Sequence, residues 1–98
     1  MKVLAIGLGE PVTPEVRTKY MPHEVPATLQ LYLDGKIDQF WFHLDPAKPG
    51  VVFLMNAASV DEAKSIVDTL PLAKDGLLRF TYMPVGPLMP LRMLLPGK

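Results

Sequence analysis

Apolar and polar positions change their spacing several times along the chain, and each change marks an element. Residues 2–8 (KVLAIGL) are a short, β-rich apolar run closed by Gly9-Glu10-Pro11, which predicts a buried strand. Thr13-Pro14 predicts a helix start, with Thr13 as N-cap and Pro14 at the first helical position, where its missing N–H costs nothing. Pro22 is expected to break or kink that helix near Met21. In the stretch after it, Val25, Leu29, Tyr32 and Leu33 share one face, and Asp34-Gly35 ends the helix. Residues 37–44 (IDQFWFHL) alternate and carry three aromatics, so they predict a strand; 45–50 (DPAKPG) is a turn and 51–56 (VVFLMN) the return strand. Ser59-Val60-Asp61-Glu62 is a capping box, and the helix behind it carries Ala63, Ile66, Val67 and Leu70 on one stripe before Pro71 stops it. Residues 77–83 (LLRFTYM) predict the last strand.

The order β-α-β-β-α-β is the ferredoxin-like split βαβ plan, an α+β fold over residues 1–83. Right-handed crossovers put both helices on one face of the antiparallel sheet. Leu4, Ile6, Phe40, Phe42, Val52, Leu54, Leu78 and Phe80 are expected to form that face. Alternation then assigns Val3, Ala5, Gly7, Gln39, Trp41, His43, Val51, Phe53, Met55, Arg79, Thr81 and Met83 to the other. An open sheet face is normally polar, and this one is largely apolar. Such a patch marks an interface or a ligand site. Two sheets packed face to face would give a homodimer, with Ala5 and Gly7 leaving room for a cavity that takes a small molecule.

Composition narrows the partners. Ten Lys+Arg balance ten Asp+Glu with no run of either sign, which argues against nucleic acid and anionic membrane. Cysteine is absent, so disulfides, thiol chemistry and cysteine-ligated metal are excluded. Two histidines twenty residues apart do not make a zinc site, so no metal is expected. The opening MKVLAIGLGEP is too short for a secretory signal or a spanning helix, which makes a cytoplasmic domain the expectation. Residues 84–98 carry prolines at three-residue intervals among Leu, Met and Val. That pattern predicts an extended, polyproline-like arm, too apolar to leave in water, packing on a partner subunit.

The candidate chemistry follows from these placements. His43 lies at the cavity end of its strand, on the face with Trp41, where a histidine can serve as general base or acid. A strand-end hydrogen bond is its alternative role. His23 follows the Pro22 break beside Tyr20, and both could assist. Trp41, Phe53 and Met55 are expected to wall the site, with Gln39 and Thr81 as polar neighbours. Arg79, a cation on a mostly apolar face, either holds a substrate carboxylate in a bidentate manner or pairs with an acid of a partner chain. Gly7-Leu8-Gly9-Glu10-Pro11 is no dinucleotide fingerprint, because the third glycine is missing and Pro11 blocks the helix.

Trp41 on the second strand, the hairpin, and Ser59-Val60-Asp61-Glu62 followed by Leu70-Pro71-Leu72 resemble the muconolactone isomerase family of the dimeric α+β barrel superfamily. Roughly residues 37–83 carry the resemblance; Pro22 and Pro26 interrupt what that family keeps as one long helix. The resemblance implies a homodimer, with further homo-oligomerisation open. It also implies a cofactor-independent enzyme that migrates a double bond in an unsaturated lactone by proton transfer. Two other readings stand beside it: a non-catalytic ligand-binding or assembly protein, and a cofactor-free monooxygenase resting on Trp41.

Overall fold

A computed structural model describes residues 1–86 and residue 95. Its elements are β1 (Lys2–Leu8), α1 (Pro14–Leu33), β2 (Ile37–His43), β3 (Gly50–Asn56), α2 (Val60–Val67), α3 (Pro71–Lys74) and β4 (Arg79–Val85). The four strands form one antiparallel sheet in the order β2-β3-β1-β4. This is the expected ferredoxin-like α+β arrangement. The short α3 is an addition: Pro71 does not merely stop α2 but opens a new turn as its first helical residue. β4 runs two residues later than expected, so it takes in Pro84 and Val85. The arm expected from 84 onward otherwise lies, apart from Gly86 and Leu95, outside the described residues.

Both long helices start where their caps predict. The Thr13 hydroxyl accepts from Val16 N–H at 3.3 Å, and the Ser59 hydroxyl accepts from Glu62 N–H at 3.0 Å. Gly35, at φ 77°, ends α1 in the left-handed region.

Pro22 does not break α1. The helix is continuous over 20 residues with Pro22 and Pro26 inside it. The two rings remove the donors for the carbonyls of Thr18 and Pro22. Thr18, Pro22 and Pro26 are all exposed, so water can serve the freed carbonyls. The face of α1 also differs from expectation. Val25, Leu29, Tyr32 and Leu33 are 45–75 % exposed. The inward stripe is instead Met21, Glu24, Ala27, Thr28 and Leu31, with a carboxylate where the apolar periodicity has none to offer.

The sheet faces of β1 and β3 are the reverse of the expectation, while β2 and β4 follow it. Val3, Ala5, Phe53 and Met55 are at most 2 % exposed and form the core with Ile37, Ala63, Val67 and Leu70. Paired residues point to the same side, and Ala5 pairs with Phe53, Phe53 with Phe40, and Gly7 with Phe80. These therefore share the helix-covered face, whereas Leu4, Ile6, Val52 and Leu54 turn to the open face with Thr81; Trp41, His43 and Arg79 share that register, but on the edge strand and at the sheet end they also line the cavities described below. The physical reason is that β1 and β3 are apolar on both sides, so alternation carries no contrast to fix their phase. A β-bulge between Ile37 and Gln39 adds a second reversal: Ile37 is buried in the core although it lies an even number of residues from Trp41.

Gly7 does not leave room for a ligand on the open face. It leaves room for the Phe80 ring, which a side chain at Gly7 would strike. Phe80 stacks on Phe53 at 5.7 Å between centroids, and on Tyr82 at 6.3 Å. Gly7→Ala is expected to cost about 1–3 kcal/mol, as overpacking of a filled core does, read as a lower urea midpoint. An unchanged midpoint would show that Phe80 has another place to go.

Candidate active site

Two cavities lie between α1 and the sheet, and they share Met21, Phe42, Val51, Leu72 and Leu78 as walls. The inner one, about 250 Å³, lies under the middle of α1. Its walls include Phe40, Phe42, Phe53 and Phe80, and its polar side chains are Glu24 and Thr28. The outer one, about 520 Å³, lies at the sheet end formed by the last residues of β1 and β2 and the first of β3 and β4.

Glu24 is the residue the sequence reading missed. It is 8 % exposed, the one charged side chain buried among the described residues. Its Oε1 accepts from Leu72 N–H at 2.9 Å, tying the middle of α1 to the start of α3. Its Oε2 is buried with no hydrogen-bond partner. Burial pushes the Glu24 carboxyl above the usual carboxylate range, and the Leu72 N–H and the nearby Thr28 hydroxyl pull against that shift without cancelling it. A buried polar atom without a partner is rare and calls for an explanation. Here, the explanation on offer is a ligand in the adjoining cavity. The available signal was periodic: Glu24 stands three residues from Met21 and from Ala27, on a stripe otherwise closed to charge.

His43 lines the outer cavity together with Arg79. Its Nδ1 lies 2.7 Å from the carbonyl oxygen of Lys48, across the β2–β3 hairpin. Because a carbonyl only accepts, Nδ1 carries the hydrogen and donates it, and Nε2 remains for other partners. Both roles considered for His43 are thus compatible: a strand-end hydrogen bond and a ring nitrogen in a cavity.

The remaining candidates divide. Phe53 walls the inner cavity from beneath the helices, not from the open face. Met55 is fully buried in the core and lines neither cavity, so its expected role as a wall is overturned; the reversed phase of β3 is the cause. Trp41, about half exposed on the edge strand, borders the inner cavity. Gln39 and Thr81 are exposed on the open sheet face and line neither cavity. His23 is exposed and also outside both. Tyr20 donates its hydroxyl to Asp75 Oδ2 at 2.7 Å, which together with desolvation raises its pKa and makes it a poorer proton donor to a substrate. It too lines neither cavity, so α1 does not bring Tyr20 and His23 to His43. Among the described residues there is no group of three or more His, Cys, Asp or Glu able to hold a metal ion. No helix there is long and apolar enough to cross a membrane.

The sheet order and the helices on one face define a ferredoxin-like α+β protein whose open sheet face is apolar. Among solved structures the chain is similar to 5-chloro-2-hydroxyhydroquinone dehydrochlorinase (TftG) of Burkholderia phenoliruptrix AC1100 in complex with 2,5-dihydroxybenzoquinone. The TM-score is 0.70 at 22% identity, over 88% of this chain and 94% of that one. No protein-family model and no curated protein sequence matches the chain.

Proposed function

We propose that this chain is a small cofactor-independent enzyme that shifts a proton on a lactone-like or cyclic unsaturated acid, with Glu24 as the group that moves it. The observation that carries the reading is a buried carboxyl with one unpartnered oxygen beside an apolar cavity. A carboxyl whose pKa is raised toward the working pH is a stronger base than a solvated one and returns the proton readily. On an α,β-unsaturated lactone, Glu24 takes the proton from the γ carbon. The C–H electron pair moves through the double bond to the carbonyl oxygen, giving a dienolate. The proton then returns to the α carbon, and the double bond ends between the β and γ carbons. Arg79 holds the carboxylate in the outer cavity, and His43, which also lines it, acts as an orienting group. The test is proton NMR with muconolactone in D₂O. Enzyme-dependent double-bond migration with deuterium uptake supports the reading; no exchange on muconolactone or on unsaturated lactones with longer carboxylate arms sinks it.

A second reading shares the first step. TftG is a dehydrochlorinase in complex with a hydroxylated quinone, and four phenylalanines around the inner cavity suit a flat oxygenated ring. In this case proton removal would be followed by loss of chloride, and chloride release from a chlorinated hydroquinone is the measurement that separates the two.

The open sheet face completes the proposal. Leu4, Ile6, Val52 and Leu54 form its centre, with no element of the described residues over them, and such a face suits a second copy. Leu54→Lys, at the middle of that face, is expected to weaken the homodimer at least tenfold while leaving the monomer folded. Sedimentation equilibrium reads this directly; a dimer of unchanged strength would place the interface elsewhere.

A further inference from the structure

The two cavities differ in chemistry as well as size, and a single ring cannot satisfy both. An apolar cavity of about 150 Å³ is enough to hold benzene, so the inner one, about 250 Å³, has room for one substituted ring. Phenylalanine rings wall it, and a ligand anion there would face the buried Glu24 carboxyl, so the cavity favours an uncharged part of a ligand. The outer cavity, about 520 Å³, is roughly double that size and falls by itself within the range of small-molecule sites, on the order of 300–1,000 Å³. Arg79 and Lys48 line it against a single acid, Glu10. Among the described residues neither cation is paired with a carboxylate. The balance is one net positive charge, which matches a carboxylate better than a doubly charged phosphate.

We propose that the substrate has two parts: an uncharged unsaturated ring seated beside Glu24, and an arm of several atoms ending in a carboxylate, seated in the outer cavity at Arg79. The substrate class is therefore a ring-bearing alkanoic acid larger than a six-carbon lactone. Met21, Phe42, Val51, Leu72 and Leu78 line both cavities, so the two lie side by side and the arm crosses from one to the other past these side chains. This inference rests on the reading of the inner cavity as the reaction chamber.

The test uses binding, not turnover, so that the two ideas fail separately. The probes are 4-phenylbutyrate and 4-phenylbutan-1-ol, which share the ring and arm and differ only in the charged end. Calorimetry gives their affinities, and the fluorescence of Trp41, the single tryptophan, reports occupancy of the inner cavity. The acid is expected to bind roughly tenfold or more tightly than the alcohol in low salt, because a hydrogen-bonded ion pair replaces a neutral contact. Arg79→Gln is expected to erase that preference while both probes still perturb Trp41. Equal affinities for acid and alcohol, or a preference that survives Arg79→Gln, overturn the two-part substrate and leave the reaction chamber standing. If neither probe binds nor perturbs Trp41, the chamber reading and the two-part substrate fall together.

Discussion

Glu24→Gln is expected to lower proton exchange on an unsaturated lactone by about 10²–10⁴-fold, the usual contribution of a positioned acid–base group. The change is nearly isosteric, and the amide oxygen can still accept from Leu72 N–H, so the tie between α1 and α3 survives. Stability should move in the opposite direction. Burial raises the folded-state pKa of Glu24 above its ordinary value of 4.5, so the folded chain binds this proton more tightly than the unfolded chain. The stabilisation from that proton is complete below pH 4.5 and is lost as pH rises through the higher folded value. Urea midpoints of the wild type should therefore fall across that window, and those of Glu24→Gln should not. At neutral pH the variant is expected to be the more stable and the less active of the two. His43→Ala, in the outer cavity, should raise KM more than it lowers kcat. Full exchange activity in Glu24→Gln would return the base to His43, where the sequence alone had placed it.

Met55→Ala is expected to cost about 2–5 kcal/mol, as truncation of a fully buried long side chain does. Against a total stability on the order of 5–15 kcal/mol, that is enough to bring a domain of this size close to unfolding at modest temperature. Chemical denaturation should show the loss as a lower midpoint with an unchanged slope. The oligomeric state should not respond, because Met55 faces the helices. A dimer weakened by Met55→Ala with little change in monomer stability would mean that the open face is the one first read from alternation. The same measurement therefore decides the phase of β3 as well as the energetic weight of Met55.

Local signals in the sequence determined the elements, their order and the ferredoxin-like plan. Thr13 and Ser59 announce helix starts because a side-chain oxygen at that position satisfies an N–H left unpaired by the helix itself. Gly35 announces an end because its φ of 77° is one that few other residues adopt. Alternation placed Phe40 on the helix side, where its ring meets Tyr32 of α1 edge-on at 5.3 Å; Phe42 shares that side by register but stays largely exposed. Alternation also grouped His43 with Arg79 at one end of the sheet.

Tertiary structure decided the rest. Pro22 and Pro26 stay within α1 because their freed carbonyls lie on its solvent side, which no local rule encodes. The faces of β1 and β3 were settled by pairing, through Gly7 beneath Phe80 and Ala5 beside Phe53, because strands that are apolar on both sides have no phase of their own. The rotation of α1 followed from Glu24 reaching Leu72 N–H, a contact between residues 48 apart in the chain. A carboxylate on an apolar stripe reads as an interruption in sequence. It becomes a candidate acid–base group only when folding withdraws it from water, ties one oxygen to a distant N–H and leaves the other beside an apolar cavity.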